Sequence, residues 1–159
     1  MIFVAVGTQK FPFDRLLKKI DELSGCGDIQ ERVFAQIGNS TYIPKNYEYS
    51  RFLTKDEFLN NIKECDVLVT HSGVSTIISG LKLGKPTIVV PRLAKFGEHV
   101  DDHQLEIAES FEAQNFVLLC ENENKLLELV NKSKEHVFSK YVSQRQRVIE
   151  EIQNYLQGI

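Results

Sequence analysis

Cysteine is scarce in this 159-residue chain. Cys26, Cys65 and Cys120 are odd in number, widely spaced and form no Cys-x-x-Cys. That argues against a disulfide framework or a structural zinc site, and a reducing cytosol is expected. An excess of positive charge is also missing: 19 Lys and Arg stand against 22 Asp and Glu, a net charge of −3. The basic footprint of most nucleic-acid binders is therefore lacking, and no nucleic-acid partner is expected. The longest early apolar run, Met1 to Val6, falls far short of the roughly 20 residues a bilayer crossing needs. It also lacks the charged n-region and longer h-region of a signal peptide. Internal repeats, low-complexity tracts and linkers are not found. What is there, 42% apolar and 26% charged residues, is too apolar for a disordered chain. The length suits one domain, residues 1–159, with a sizeable core.

Short apolar runs alternate with helical spacings. Ile2 to Val6 reads as a strand buried on both faces, stopping at Gly7. Apolar residues at 13, 16, 17, 20 and 23 predict a helix over Phe11–Leu23. Arg32–Ile37 and the weaker Tyr47–Leu53 read as strands. Thr54 followed by Glu57 is a capping-box pattern, with a helix expected to about Cys65. Asp66–Thr70 is a further buried strand, running into His71-Ser72-Gly73 and a helix over Ser75–Leu83. Pro86–Val90 is a strand, 92–100 a loop, Asp101–Gln114 a helix, Phe116–Leu119 a strand and Asn122–Asn131 a helix. A last amphipathic helix is expected over 139–159. Strands alternating with helices predict a parallel α/β sheet of βαβ units with helices on both faces.

In such sheets ligands bind beyond the carboxyl ends of the strands, and three of those ends are unusual. Gly7-Thr8-Gln9 lets backbone approach a ligand and adds hydrogen-bonding side chains, though an ordinary turn would look the same. It is neither a P-loop nor a Gly-x-Gly-x-x-Gly. Thr70 to Thr76 opens a helix with small and hydroxylated residues. Free N–H groups at a helix start bind anions, Gly73 removes a side chain from a phosphate's path, and Ser72, Ser75 and Thr76 add hydroxyls. Plain N-capping would need only one such residue. The loop from Pro91 to Gln104 carries Asp101, Asp102 and Gln104, which suit sugar hydroxyls. The bland alternative for the acidic pair is charge at a helix N-terminus. His99 and His103 stand at i,i+4, but no third metal ligand accompanies them, and no metal is expected.

These motifs carry a resemblance. Thr70-His71-Ser72-Gly73-Val74-Ser75-Thr76, Leu83-Gly84-Lys85-Pro86, Val90-Pro91 and Asp101-Asp102-His103-Gln104 with Ala108 resemble the glycosyltransferase family 28 C-terminal domain. The likeness covers residues 1 to about 120. It implies a Rossmann-like sheet equivalent to the C-terminal, donor-binding half of a GT-B glycosyltransferase. Within the family the chain is similar to the small catalytic subunit of a two-subunit UDP-sugar transferase. Phe3 to Gln9 and Phe11 to Leu16 look like a bacterial branch that builds capsule and exopolysaccharide. The resemblance assigns Gly7, Thr8 and Gln9 to a turn facing the donor, and Phe52 and Leu53 to the uracil edge. It assigns Ser72, Gly73, Val74, Ser75 and Thr76 to the diphosphate, and Gln104, with Asp101 nearby and Asp102 beside it, to donor-sugar hydroxyls. The chain departs from the pattern at Ser79, where many relatives carry an acid for the ribose, and at His103, where plant-type relatives have Asp.

The implied reaction is an inverting transfer of a hexose or N-acetylhexosamine from a UDP-sugar, with the helix start stabilising the departing diphosphate. No Asp-x-Asp appears, in keeping with a metal-independent strategy, and no cofactor is implied beyond the donor substrate. Candidates for the base are His71 and Asp14. A complete GT-B enzyme has two halves, so the resemblance implies a membrane-anchored partner that binds the lipid-diphosphate-linked saccharide acceptor. That would place the chain in the cytoplasm, peripheral to the inner face of the plasma membrane. The C-terminal helix is the expected docking element, although each of Val148, Ile149, Ile152, Tyr155 and Leu156 taken singly reads as packed on its own sheet. A homodimer of the isolated chain is a further expectation. The alternatives are a non-catalytic nucleotide-sugar-binding or regulatory module and a stand-alone α/β protein for another phosphate ligand.

Overall fold

Strands β1 (Ile2–Ala5), β2 (Val33–Gln36), β3 (Glu48–Ser50), β4 (Val67–Thr70), β5 (Thr87–Val89) and β6 (Leu118–Leu119) form one sheet in the order β3-β2-β1-β4-β5-β6. All neighbours are parallel, with Val4 of β1 in register between Ala35 and Val69. The computed structural model describes residues 1–158, the side chain of Gln146 excepted. The helices are α1 (Asp14–Gly25), α2 (Lys55–Glu64), α3 (Val74–Lys82), α4 (His103–Ala113), α5 (Leu126–Ser133) and α6 (Gln144–Gln157).

Strand alternation divides the core between two faces. Ile2, Val4 and Val6 point to one face, where Leu16, Leu17 and Ile20 of α1 and Leu126 and Val130 of α5 cover them. Phe3 and Ala5 point to the other and meet Ile62 of α2 and Leu68. Farther along that face Ile77 and Leu81 of α3 pack with Val89, Val117 and Ala108 of α4. The chain leaves β1 toward β2 and leaves β4 toward β5, so the order reverses between β1 and β4. A crevice opens at such a reversal.

Local chemistry sets several boundaries. Thr54 and Glu57 cap α2 reciprocally: Glu57 N–H donates to Thr54 Oγ1 (3.2 Å) and Thr54 N–H to Glu57 Oε2 (2.9 Å). Helix α1 starts at Asp14 rather than Phe11. Arg92 takes the carbonyls of Phe11 and Pro12, and Phe13 N–H donates to Ser40 Oγ (3.0 Å), which draws those residues into the loop. Two carboxylates of α1 strap the β2–β3 connection. Asp14 accepts from the N–H groups of Thr41 and Tyr42, and Asp21 from those of Lys45 and Asn46 and from the Tyr42 hydroxyl. The expected helix over Asn122–Asn131 opens as a 3-10 turn at Glu123–Lys125, where Asn122 Oδ1 accepts from Asn124 N–H, before α5 proper.

The C-terminal segment departs from expectation. Helix α6 starts at Gln144, not 139. Residues before it are held to the body: Ser139 N–H donates to the Asn115 carbonyl (2.9 Å) and Tyr141 meets Phe116 edge-on at 5.6 Å. The expected helix also reaches Ile159, which lies outside the described residues. Val148, Ile149, Ile152, Tyr155 and Leu156 do not pack on the sheet; all five are exposed. No helix among the described residues is long and apolar enough to cross a membrane.

Candidate functional site

A cleft of about 440 Å³ opens at the reversal between β1 and β4. Gly7, Thr8 and Gln9 reach it from the end of β1, Leu53 from beyond β3, and His71 and Gly73 from the end of β4. Val74, Ser75 and Thr76 form its floor as the first turn of α3. Among the described residues no side chain caps α3, and the N–H groups of Val74, Ser75 and Thr76 have no partner there, the state of a helix start ready for an anion. Ser72 Oγ is buried without a partner among the described residues. Three further residues line the cleft that sequence reasoning missed: Gln36, Lys55 and Phe58. Thr54 marked a helix start there, but nothing local said that this start faces β4 across the sheet.

Backbone contacts shape both walls. Asn39 Nδ2 donates to the carbonyls of Thr8 (3.2 Å) and Gln9 (3.0 Å), which leaves the side chains of Thr8 and Gln9 exposed. Phe52 is exposed and off the cleft lining; its carbonyl accepts from Ser50 Oγ (2.9 Å). Leu53 does line the cleft.

His71 fills the back of the site. It is 6% exposed, wedged between two glycines. A Cβ at Gly7, where φ is +82°, would sit 2.6 Å from His71 Nε2, and one at Gly73 would sit 2.5 Å from its Cε1. Gly73 therefore makes room for the imidazole as much as for a ligand. Burial, then the charges of Arg92 and His99, pull the imidazole down from 6.5 to about 4. The sign follows from linkage: the unfolded chain takes up the proton first, so stability falls as pH drops from about 6.5 to about 4. The expected loss is about 3 kcal/mol. Urea unfolding across that window checks it, with His71→Asn flattening this part of the profile; an unchanged profile would refute the buried neutral imidazole.

Other expected site residues are placed differently. Asp14 does not line the cleft. Burial raises its carboxyl, but the hydrogen bonds from Thr41 and Tyr42 outweigh that and hold it below the ordinary value. Asp101 is held low chiefly by the His103 N–H (3.0 Å) and also meets His99 Nδ1 (3.0 Å). Asp102 accepts from Ala94 N–H (2.9 Å), so it braces the preceding loop. His103 Nδ1 lies 3.3 Å from Glu106, so His99 and His103 turn to separate carboxylates. Gln104 is only 4% exposed and its amide is engaged internally, with Ser72 N–H, Arg92 N–H and His71 Nδ1.

A buried cationic knot holds the loop after β5 against the loop after β1. Arg92, 1% exposed, donates to the carbonyls of Val6, Phe11 (2.8 Å) and Glu98 (3.2 Å). Burial draws its guanidinium down to about 10, so it remains charged at neutral pH. Glu98 in turn takes a two-point bond from Arg15 (both 3.0 Å), and Arg15 also reaches Glu123 (3.0 Å). The sequence suggests a ligand loop at 91–104; its bracing is hidden there because the anchors Val6, Phe11 and Arg15 are distant in sequence. A second cavity, about 450 Å³, runs along α1 past Arg15 and Glu98. Arg15 and Glu98 pair with each other, and the carboxylates of Asp14, Glu22 and Glu123 also line this cavity, whereas none lines the cleft above α3, which is therefore the better anion site.

Comparison with known proteins agrees with this architecture. The chain matches the glycosyltransferase family 28 C-terminal domain over residues 1–157. It is 27% identical over 128 residues to UDP-N-acetylglucosamine transferase subunit ALG13 of Homo sapiens, covering 75% of this chain but 11% of that protein. The chain thus spans about a tenth of the human relative. With ALG13 of Yarrowia lipolytica the identity is 22% over 162 residues, covering 91% of this chain and 81% of the relative. Among solved structures, the glycotransferase of kitacinnamycin superposes with a TM-score of 0.65 at 20% identity, covering 85% of this chain and 35% of that one. An NMR structure of ALG13 gives 0.58 at 18% identity, covering 95% and 93%. With a parallel sheet reversing at β1/β4 and a family match along almost its whole length, the chain belongs to the glycosyltransferase family 28 C-terminal domain and has the fold of the C-terminal half of a GT-B glycosyltransferase.

Proposed function

We infer that this chain is the donor-binding, catalytic subunit of a UDP-sugar-dependent glycosyltransferase. The observation that carries the reading is the uncapped start of α3 at the reversal point, with the orphan Ser72 hydroxyl behind it. Transfer of a hexose or N-acetylhexosamine leaves growing negative charge on the diphosphate. The N–H groups of Val74, Ser75 and Thr76 and the α3 dipole offset that charge, with Ser75, Thr76 and Lys55 adding donors. This supplies leaving-group stabilisation from the chain itself, which fits a metal-independent, inverting reaction. Leu53, which lines the cleft while Phe52 does not, meets the uracil edge, and Thr8 and Gln9 face the donor from the opposite wall.

The acceptor is a lipid-diphosphate-linked saccharide, held by a membrane-anchored companion subunit that completes the cleft. The likeness to ALG13, a transferase subunit by name, supports a companion. Helix α6 is the docking element, and the chain is cytoplasmic, bound to the inner membrane face through that companion. A role in capsule or exopolysaccharide synthesis follows from the Phe3–Leu16 resemblance. Neither His71, drawn down to about 4, nor Asp14, tied to Thr41 and Tyr42, is well suited to deprotonate an acceptor hydroxyl. The companion supplies that base.

Calorimetry with UDP and UDP-N-acetylglucosamine tests the donor site. Both should bind, and a chelator should change nothing. Ser75→Glu should weaken both by about tenfold or more, because a carboxylate at the helix start repels the diphosphate while suiting the helix itself. No binding of either nucleotide would refute the reading. Binding without turnover in the presence of the companion would leave a non-catalytic nucleotide-sugar module.

A further inference from the structure

Helix α4 closes at a position that suits glycine and holds asparagine. Past Ala113 and the cap Gln114, Asn115 takes φ +60°, the left-handed conformation that often ends a helix. The closing bonds are in place: Asn115 N–H donates to the Glu112 carbonyl (2.8 Å) and Phe116 N–H to the Phe111 carbonyl (3.1 Å). Among the described residues every other φ of this kind belongs to a glycine. Asparagine tolerates the conformation better than most residues but less well than glycine. The backbone alone favours glycine here, and the side chain supplies what glycine cannot.

That side chain grips the segment leading to α6. Asn115 Nδ2 donates to the Val137 carbonyl (3.0 Å), so Oδ1 is the other end of the amide and accepts from His136 Nε2 (2.7 Å). The Asn115 carbonyl accepts from Ser139 N–H (2.9 Å). The His136 ring meets Phe138 edge-on at 4.6 Å, and Phe116, next after the asparagine, meets Tyr141 at 5.6 Å. Residues 136–143 belong to no helix or strand. Asn115 and Phe116 thus stand in for the ladder of bonds that a regular element would have. Only Val142 and Ser143 separate Tyr141 from the start of α6 at Gln144.

We propose that Asn115 is a positioning residue: by clasping residues 136–139 it fixes the direction in which α6 leaves the body, and so presents the apolar stripe of that helix to the companion. The proposal rests on the reading of α6 as the docking element. None of Val148, Ile152, Tyr155 and Leu156 belongs to a core cluster, so the root of the helix carries its direction. On a slack tether the stripe would meet the companion in the productive direction only part of the time, and apparent affinity falls by that fraction. Holding the root removes this cost before binding.

Distances between two spin labels on the full chain test the clasp without the companion. Cys26→Ser removes the exposed native thiol, and the buried Cys65 and Cys120 stay unlabelled. Labels at Glu109→Cys on α4 and Gln153→Cys on α6, both exposed positions, then span the joint. With Asn115 in place the distance distribution should be single and narrow. Asn115→Gly suits φ +60° and keeps α4 closed, yet should broaden it clearly. His136→Ala, which removes one bond of the clasp, should broaden it less. Companion affinity of unlabelled Asn115→Gly should fall by about fivefold, as expected if the productive direction is populated about a fifth of the time. A broad distribution with Asn115 in place overturns the proposal, as does an Asn115→Gly distribution as narrow as the original. If that variant does not fold, His136→Ala and the unaltered joint decide. A broadened distribution with full companion affinity overturns the presenting role. Should a chain ending at Ser143 still bind the companion, the docking reading fails, while the distances still judge the clasp.

Discussion

Arg92→Met should lower the unfolding free energy by about 3–5 kcal/mol, the range seen when one partner of a buried charged network is removed. Methionine keeps the apolar stem of arginine and lacks the guanidinium, so the loss falls chiefly on the bonds that group makes. It comes from the carbonyls of Val6, Phe11 and Glu98, which lose their donor at a buried site. Each such orphan costs about 1–3 kcal/mol, and the costs do not add because the loops can relax. Relaxation carries its own consequence. Val6 leads directly into Gly7, and Phe11 ends the same loop, so the wall of the cleft loosens as the fold weakens. Urea unfolding measures the first effect and UDP calorimetry the second. Arg92→Lys should recover part of the stability, since an ammonium keeps the charge and three donors but lacks the planar spread of a guanidinium. A loss below about 1 kcal/mol for Arg92→Met would mean that the knot is incidental.

Ending the chain after Ser143 should abolish association with the proposed companion while leaving the domain folded. Helix α6 puts Val148, Ile152, Tyr155 and Leu156 on one stripe at helical spacing, each at least half exposed. None of them belongs to a core cluster. The contacts that fasten this end of the chain lie before the cut, at Ser139 and Tyr141. The melting temperature should therefore move by no more than about 2 °C, while helical signal falls by the share of one helix. Co-purification with the companion should drop to background. A truncated chain that no longer folds would return the stripe to the chain's own sheet, as the single-residue reading had it. A folded chain that still binds would move the docking surface elsewhere.

The periodic parts of the fold were legible in the sequence. Runs such as Ile2–Val6 and Asp66–Thr70 announce buried parallel strands, and Thr54 with Glu57 announces the start of α2. The uncapped helix start that lines the cleft was legible because small and hydroxylated residues, Ser72 to Thr76, gather there at a strand end. What stayed hidden depends on pairings across long stretches of chain. Gln104 reads as a polar residue suited to sugar until the fold brings it to His71. Arg92 reads as one residue of a ligand loop until three carbonyls close around it. Asp14 stands close to the first strand end in sequence, which made it a candidate base, but its side chain points along α1 to Thr41 and Tyr42. For α6 the periodicity was right and the single-residue reading of packing on the chain's own sheet was not, because a pattern of apolar residues says that a face is to be covered without naming the cover.

The imidazole wedged between two glycines ties three positions into one inheritance. Residues 7, 71 and 73 occupy a single volume, so drift at one is constrained by the other two. A lineage that keeps the histidine has no room for a methyl group on either flank. One that trades the ring for something smaller frees position 73 at once, whereas Gly7, at φ +82°, stays bound by its own backbone.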